Sequence, residues 1–310
     1  MDGRSLIRRS VFLAFGYLLL IAALACGAAT TAVATPVATE TPVVTPTPSP
    51  STPTPTPTPT PALFPLTVTG SDGAEVVLER PPERIVATHE YVTYPPEVAG
   101  IQKVGDAFNV NFEKIAELNP DLIYIFFDRF VPDLEKLGAR VLYVESPSKL
   151  GGVGDQMRMW GRIVGRPEAG EELARGFETS VEALAAKAGD GSEETPGVYI
   201  DVAPMLWTLG AGSLADEMVA LLKAENAFAD VDMAKQVSAE EIVSRAPDVV
   251  ISTYEGGTAQ FTSDPAFASL PAVQNGRLCE IDGSLVSAPG PRLVDGIQAI
   301  GECVYPDRFP

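Results

Sequence analysis

Asn111-Phe112-Glu113-Lys114-Ile115, closed by Pro120-Asp121-Leu122-Ile123, returns later in the chain as Ser238-Ala239-Glu240-Glu241-Ile242, closed by Pro247-Asp248-Val249-Val250. In both copies a helix-capping side chain stands two positions before a Glu, and Ile follows two positions after it. Pro-Asp then opens directly into an apolar run of strand length. The copies lie too far apart for a solenoid period. They suit two similar lobes, each carrying one helix–turn–strand unit with an acid at the helix entrance.

The sequence around the copies alternates in the same sense. Leu66–Glu79 predicts a hairpin about Ser71-Asp72-Gly73, and Arg84–Ala87 a brief strand. Leu122–Phe127 has the character of a strand covered on both faces, followed by a helix at Pro132–Leu137 and a strand at Arg140–Val144. Between 150 and 190 no strand-like run occurs. Met157, Trp160, Ile163 and Val164, then Leu173, Phe177, Val181 and Leu184, fall at helical spacing, and Pro167 suits the first turn of a second helix. Strands are expected again at Val198–Val202, Val249–Ser252 and Arg277–Ile281, with helices at Ser213–Leu222 and Arg292–Val304. Short strands alternating with helices imply parallel sheets with right-handed crossovers. The expected organisation is one α/β lobe over 64–149, a helical connector over 150–190 and a second α/β lobe over 191–310.

Arg4, Arg8 and Arg9 precede an apolar run over 11–25 that ends at Leu24-Ala25-Cys26-Gly27. The run is shorter than the ~20 residues a bilayer needs. It reads as an export signal over 1–26, with Cys26 placed for lipidation as in a lipobox. Residues 27–63, rich in Thr, Pro and Ala, have little to bury and form a disordered tether. At ~3.1 Å per residue in polyproline form it reaches on the order of 100 Å. The folded part is therefore expected outside the cytoplasm, in the periplasm or held by its lipid at the outer face of the cell membrane. With 41 acidic and 22 basic residues the net charge is −19, which argues against nucleic acid as a partner. Cys279 and Cys303 follow Cys26 as the remaining cysteines; in an oxidising compartment they either pair or stay two separate buried thiols.

Catalytic constellations are nearly absent. His89 is the one His, so a multi-His metal site is impossible, and neither a Gly-x-Ser-x-Gly elbow nor a phosphate-cradling loop occurs. Neither enzyme activity nor a cofactor or metal is expected. Gly210-Ala211-Gly212-Ser213 reads as a helix cap, with an anion cradle the lesser reading. Aromatic residues collect instead at strand-to-helix loops, where open α/β sheets place ligands. They are Tyr91, Tyr94, Phe108, Phe126, Phe127 and Phe130 in the first lobe, and Trp207 and Tyr254, with Met205, in the second. Two facing aromatic rims suit a large, flat, partly apolar ligand. Phe126 and Phe127, as adjacent strand residues, are expected on opposite faces. Glu113 and Glu240 gain from the helix dipole, but a capping box of Ser238 with Glu241 leaves Glu240 out. One exposed acid per lobe suits pairing with Arg on a docking partner.

Several short motifs recur in a fixed order: Arg84-Ile85-Val86, Tyr91-x-x-Tyr94-Pro95-Pro96-Glu97, Lys103-Val104-Gly105 and Asn111-x-Glu113 through Pro120-Asp121. Trp207 to Gly212-Ser213 with Asn226, Val237-Ser238-x-Glu240 through Pro247-Asp248, Asn275-Gly276-Arg277 and Pro289-Gly290-Pro291-Arg292 follow. In that order they resemble the class III periplasmic-type substrate-binding proteins of ABC importers for vitamin B12 and iron-siderophores, most of all the cobalamin-binding members. The resemblance implies two Rossmann-like lobes with central parallel sheets joined by a long helical spine. It implies a corrinoid held between the lobe tips by Tyr91, Tyr94, Phe108, Phe127, Trp207, Tyr254 and Arg292. It also implies a monomer whose Glu113 and Glu240 meet Arg residues of the permease. An iron-siderophore or haem is the nearest alternative ligand, with Arg129 and Arg292 placed for an anionic one. A surface module that scavenges or senses ligand without a transporter is the alternative of another class. Two departures stand out. Ala87 leads almost directly into Thr88-His89-Glu90-Tyr91, so the first lobe lacks one strand–helix unit of the family pattern. Lys223-Ala224-Glu225 stands where Gly-Gly commonly precedes the Asn.

Overall fold

The computed structural model describes residues 63–87, 102, 104, 105, 109–189 and 195–310; Cys26, His89, Tyr91, Tyr94 and Phe108 lie outside the described residues. In the first lobe β1 (Leu66–Thr69) and β2 (Glu75–Leu78) form the expected hairpin. β3 (Ile85–Ala87), β4 (Leu122–Ile125) and β5 (Val141–Tyr143) make a parallel sheet in the order β3-β4-β5, with α1 (Phe112–Leu118) leading into β4 and α2 (Val131–Glu135) into β5. Every residue of β4 is buried. Leu122 faces the hairpin core of Val68, Val76 and Leu78, while Ile123 and Ile125 face α1 and α2 through Ile115 and Leu134. This is why the strand reads as a continuous apolar run. It stops at Ile125, short of the expected Phe127, because the chain turns into a 3-10 segment at Asp128–Phe130.

The connector is a pair of helices, broken before Pro167 as expected: α3 (Leu150–Ile163) and α4 (Pro167–Ala188) fold back on each other about Gly165, which has φ 72°. Pro167 stands in the first turn of α4, where its missing N–H costs nothing. Arg158 of α3 grips Glu178 of α4 at 2.6 and 3.0 Å and Glu171 at 2.8 Å. Gly161 meets Gly170 so closely that a Cβ on either would fall within 2.8 Å of the other's Cα. α3 starts in the second-lobe core, where the Leu150 N–H donates to Glu217 and Val153 packs with Leu214 and Ile297. It ends in the first-lobe core, with Ile163 beside Val68 and Leu142. α4 then returns, burying Phe177 and Ala188 in the second-lobe core. The chain thus passes between the lobes three times.

The second lobe follows as β6 (Gly197–Ala203), β7 (Trp207–Leu209), α5 (Leu214–Leu221), β8 (Glu225–Asn226), β9 (Ala234–Gln236) and α6 (Ala239–Arg245). It closes with β10 (Val249–Ser252), α7 (Ala259–Ser263), α8 (Pro271–Gln274), β11 (Leu278–Glu280), α9 (Ser284–Ser287) and α10 (Leu293–Val304). The sheet order is β11-β10-β6-β7-β9, with β8 also on β6. β6, β8, β10 and β11 run parallel as expected, but β7 and β9 add an antiparallel edge. Val198, Ile200, Val249 and Ile251 face the connector, α5 and α10, while Tyr199 and Val250 face α6, α7 and α8. Cys279 and Cys303 are disulfide-bonded, Cα atoms 6.1 Å apart, tying β11 to α10. The N–H groups of Gly210, Ala211 and Ser213 all donate to backbone carbonyls, and the Ser213 hydroxyl caps α5, so this stretch is a cap and not an anion cradle.

The repeated motif folds twice alike. Asn111 Oδ1 accepts from Lys114 N, and Ser238 Oγ accepts from Glu241 N, with the reciprocal capping box completed in the second copy. Both helices end on a left-handed residue, Asn119 and Ala246, each at φ 46°. Asp121 Oδ2 then accepts from Glu83 N and Arg84 N at the start of β3, and Asp248 Oδ2 from Gly197 N at the start of β6. Each Pro-Asp therefore pins the beginning of the neighbouring parallel strand. Those backbone donors hold the Asp121 carboxyl below the usual carboxylate range.

Candidate functional site

A cavity of about 590 Å³ opens where β4, the connector and the α9–α10 segment meet. That is within the ~300–1,000 Å³ typical of small-molecule sites. β4 contributes Tyr124, whose ring stands edge-on to Trp160 of α3 at 5.0 Å and 90°. Val153, Gln156 and Met157 of α3, Arg166 just before α4, Leu173 of α4, and Ala288 through Arg292 also line it. The wall is mostly carbon, and Val164 and Leu173 leave apolar surface open at its edge. Ser284 and Arg292 border it from the second lobe. The Ser284 hydroxyl oxygen is itself screened from solvent and has no hydrogen-bond partner among the described residues. Arg292 is paired with Asp282 at 3.8 Å, and Asp282 also accepts from Ser284 N at 2.8 Å.

Of the expected ligand residues that are described, Arg292 lines this cavity and Phe127, Trp207 and Tyr254 do not. Phe126 and Phe127 stack on each other, centroids 4.2 Å apart, instead of pointing to opposite faces; beyond the end of β4 the strand alternation no longer applies. Arg129 lies over Phe127 at 5.1 Å and over Phe130 at 4.5 Å. Trp207 begins β7 in a hairpin, not a strand-to-helix loop, with its neighbour Met205 the more exposed of the two. Tyr254 follows β10, half-buried, and its hydroxyl donates to Asp201 Oδ2 at 2.8 Å. Its loop is held on the other side by Glu280, which accepts from Gly256 N, Thr258 N and the Thr258 hydroxyl.

Sequence reasoning missed Tyr124, Trp160 and Ser284 as site residues. Trp160 and Met157 read as the inner face of a helix, which they are, but that face borders a cavity. The available signal was the glycine load of α3, with Gly151, Gly152, Gly154 and Gly161 thinning one helix.

The model of the Periplasmic binding protein family matches residues 68–285. The chain belongs to this family. Similar sequences include the uncharacterized ABC transporter substrate-binding lipoprotein YvrC of Bacillus subtilis, 27% identical over 278 residues, which are 80% of this chain and 88% of the relative. The vitamin B12-binding protein of Vibrio cholerae is 26% identical over 238 residues, 72% of this chain and 81% of its own. Among solved structures, the periplasmic vitamin B12 binding protein BtuF of Vibrio cholerae matches with a TM-score of 0.64 at 25% identity, covering 73% of this chain and 96% of that one.

In this periplasmic binding protein Glu113 and Glu240 take the same place, the second residue of α1 and of α6. Both are exposed, and neither has a hydrogen bond or ion pair among the described residues. No described helix is long and apolar enough to cross a membrane. No cluster of His, Cys, Asp and Glu among the described residues is arranged to hold a metal ion.

Proposed function

We propose that this chain binds a corrinoid outside the cytoplasm and delivers it to an ABC importer. The observation that carries the reading is the apolar cavity bounded by both lobes, walled in part by Tyr124 and Trp160, in a member of this family. Relatives named for vitamin B12 support it. A macrocycle with broad apolar faces suits walls that are mostly carbon. An anionic siderophore suits them less. Arg292 is already paired with Asp282, the Arg129 guanidinium lies against Phe127 and Phe130, and Arg166 adds a single further cation to a wall that is mostly carbon.

In this reading Arg292 contacts the ligand from the cavity wall, and Phe127, Trp207 and Tyr254, which lie outside that wall, with Tyr91, Tyr94 and Phe108, contact the parts of the ligand that project beyond it. Glu113 and Glu240 pair with Arg residues of the permease, one per lobe. Cys26 carries the lipid, and residues 27–63 hold the monomeric folded part away from the membrane. Titration of the purified protein with cyanocobalamin, followed by Trp fluorescence, tests the ligand. Saturable binding in the micromolar range or tighter is expected; no binding at tens of micromolar overturns the assignment.

A further inference from the structure

Asp201 is a carboxylate wholly screened from water at the carboxyl end of β6. Its Oδ2 accepts from the Tyr254 hydroxyl at 2.8 Å and from Gln260 Nε2 at 2.8 Å, and Gln260 also reaches the Tyr254 oxygen at 2.9 Å. Among the described residues its Oδ1 has no partner. Two buried hydroxyls on the same sheet face are equally unpartnered: Tyr199, two residues earlier on β6, and Thr208, opposite Asp201 on β7. The Tyr199 hydroxyl bears on the carboxylate without completing a hydrogen bond to it. Burying a carboxylate with no cation beside it is expensive, and the surrounding core of Phe228, Val250 and Phe261 gains nothing from it.

We propose that Asp201 is a positioning residue for ligand capture, fixing the Tyr254 ring at the rim of the second lobe and loosening it when the carboxylate takes up a proton. The proposal rests on the assignment of Tyr254 to the ligand site. Ionised, Asp201 gives Tyr254 and Gln260 charge-assisted bonds, roughly twice as strong as neutral ones. Protonated, it accepts more weakly, and its new O–H turns toward the Tyr199 or Thr208 hydroxyl. The groups facing it are Tyr199 from β6, Thr208 from β7, Ser252 and Tyr254 from β10 and its loop, and Gln260 from α7. Among the described residues no Lys, Arg or second carboxylate bears on its titration. Burial pushes the Asp201 carboxyl up to about 6, against the hydrogen bonds that pull it down.

The two consequences have opposite signs. A carboxyl raised on folding favours the folded state below its unfolded value, and that contribution is lost as pH rises through about 6. Ligand grip runs the other way, firm above that pH and weaker below it. A purely structural Asp would not separate the two.

The test uses the full chain labelled with 3-fluorotyrosine, the Tyr254 signal being assigned with Tyr254→Phe. That signal should titrate with a midpoint near 6 and lose the titration in Asp201→Asn. Cyanocobalamin should bind several-fold more weakly at about pH 5 than at about pH 7.5, and Asp201→Asn and Tyr254→Phe should both flatten this profile. Asp201→Asn should also melt at a higher temperature near neutral pH. A Tyr254 signal that does not titrate, or that titrates unchanged in Asp201→Asn, overturns the proposal. So does an unchanged affinity profile in that variant. If cyanocobalamin fails to bind the unaltered protein, the ligand assignment falls, and the fluorine signal alone decides the role of Asp201.

Discussion

The carboxylate of Asp248 holds the backbone N–H of Gly197, 51 residues earlier in the chain, at 2.8 Å. Asp121 does the same in the first lobe for Glu83 and Arg84. Parallel strands share no tight turn to set their register, and in each lobe this bond supplies the setting at the strand start. Asp248→Ala strips the Gly197 N–H of its acceptor and should lower stability by about 1 kcal/mol. Urea unfolding checks it. Asp121→Ala should act in the same direction; a neutral outcome for both would mean that the strands register without help.

Lys223 sits at φ 60°, a left-handed conformation that favours glycine. Lys223→Gly removes the side-chain clash at the cost of a looser unfolded chain, and should stabilise by about 0.5–1 kcal/mol. A thermal melt that falls instead would show that the Lys side chain has a compensating contact.

The two connector helices are linked by Arg158, which holds the Glu171 and Glu178 carboxyls below the usual range. A depressed carboxyl stabilises above its unfolded value of 4.5, and the contribution is lost as pH falls through its folded value. Arg158→Gln should therefore melt lower than the unaltered protein near neutral pH, with the gap closing on acidification below about 4. A gap that is constant across pH would assign the effect to packing of the Arg stem.

Trp160→Ala deletes the ring packed against Tyr124 in the cavity wall and should weaken cyanocobalamin binding tenfold or more, about 1.4 kcal/mol. Ser284→Ala should leave the melting temperature unchanged or raise it, with affinity unaltered, because the buried hydroxyl has no partner among the described residues. Calorimetric titration beside thermal melts reads both. Unchanged affinity in Trp160→Ala would remove the cavity from the ligand site.

Alanine at both Glu113 and Glu240 should abolish corrinoid uptake in cells carrying the importer and leave affinity for the ligand in solution unchanged. Among the described residues neither acid has a hydrogen bond or ion pair, and neither borders the cavity. Persistent uptake would refute docking through these two residues.

The sequence made the lobes legible because the repeat is local: cap, helix, left-handed turn and buried strand each announce themselves within a few residues. The β6–β7 hairpin was not legible. Its turn places Met205 and Leu206 at φ 70° and 63°, where a tight hairpin ordinarily calls for Asn-Gly, so no turn signal separates the strands. The cavity was hidden for a different reason. Trp160 and Tyr124 come from different elements, and a helix face that borders a cavity has the same period as one that meets a core. The disulfide needed the fold as well, since only the packing of α10 on β11 brings Cys279 to Cys303.

Three passes of chain between the lobes have a mechanical consequence. A single covalent strand would act as a swivel. Here the α3–α4 pair behaves as a laminated leaf, and any wide gaping of the lobes has to slide one ply along the other. Such sliding would tear Arg158 from Glu178 and part the Gly161–Gly170 contact, where no side chain is available to cushion the slip. Movement is thereby steered toward the loops at the strand ends, while the backs of the two lobes stay in step.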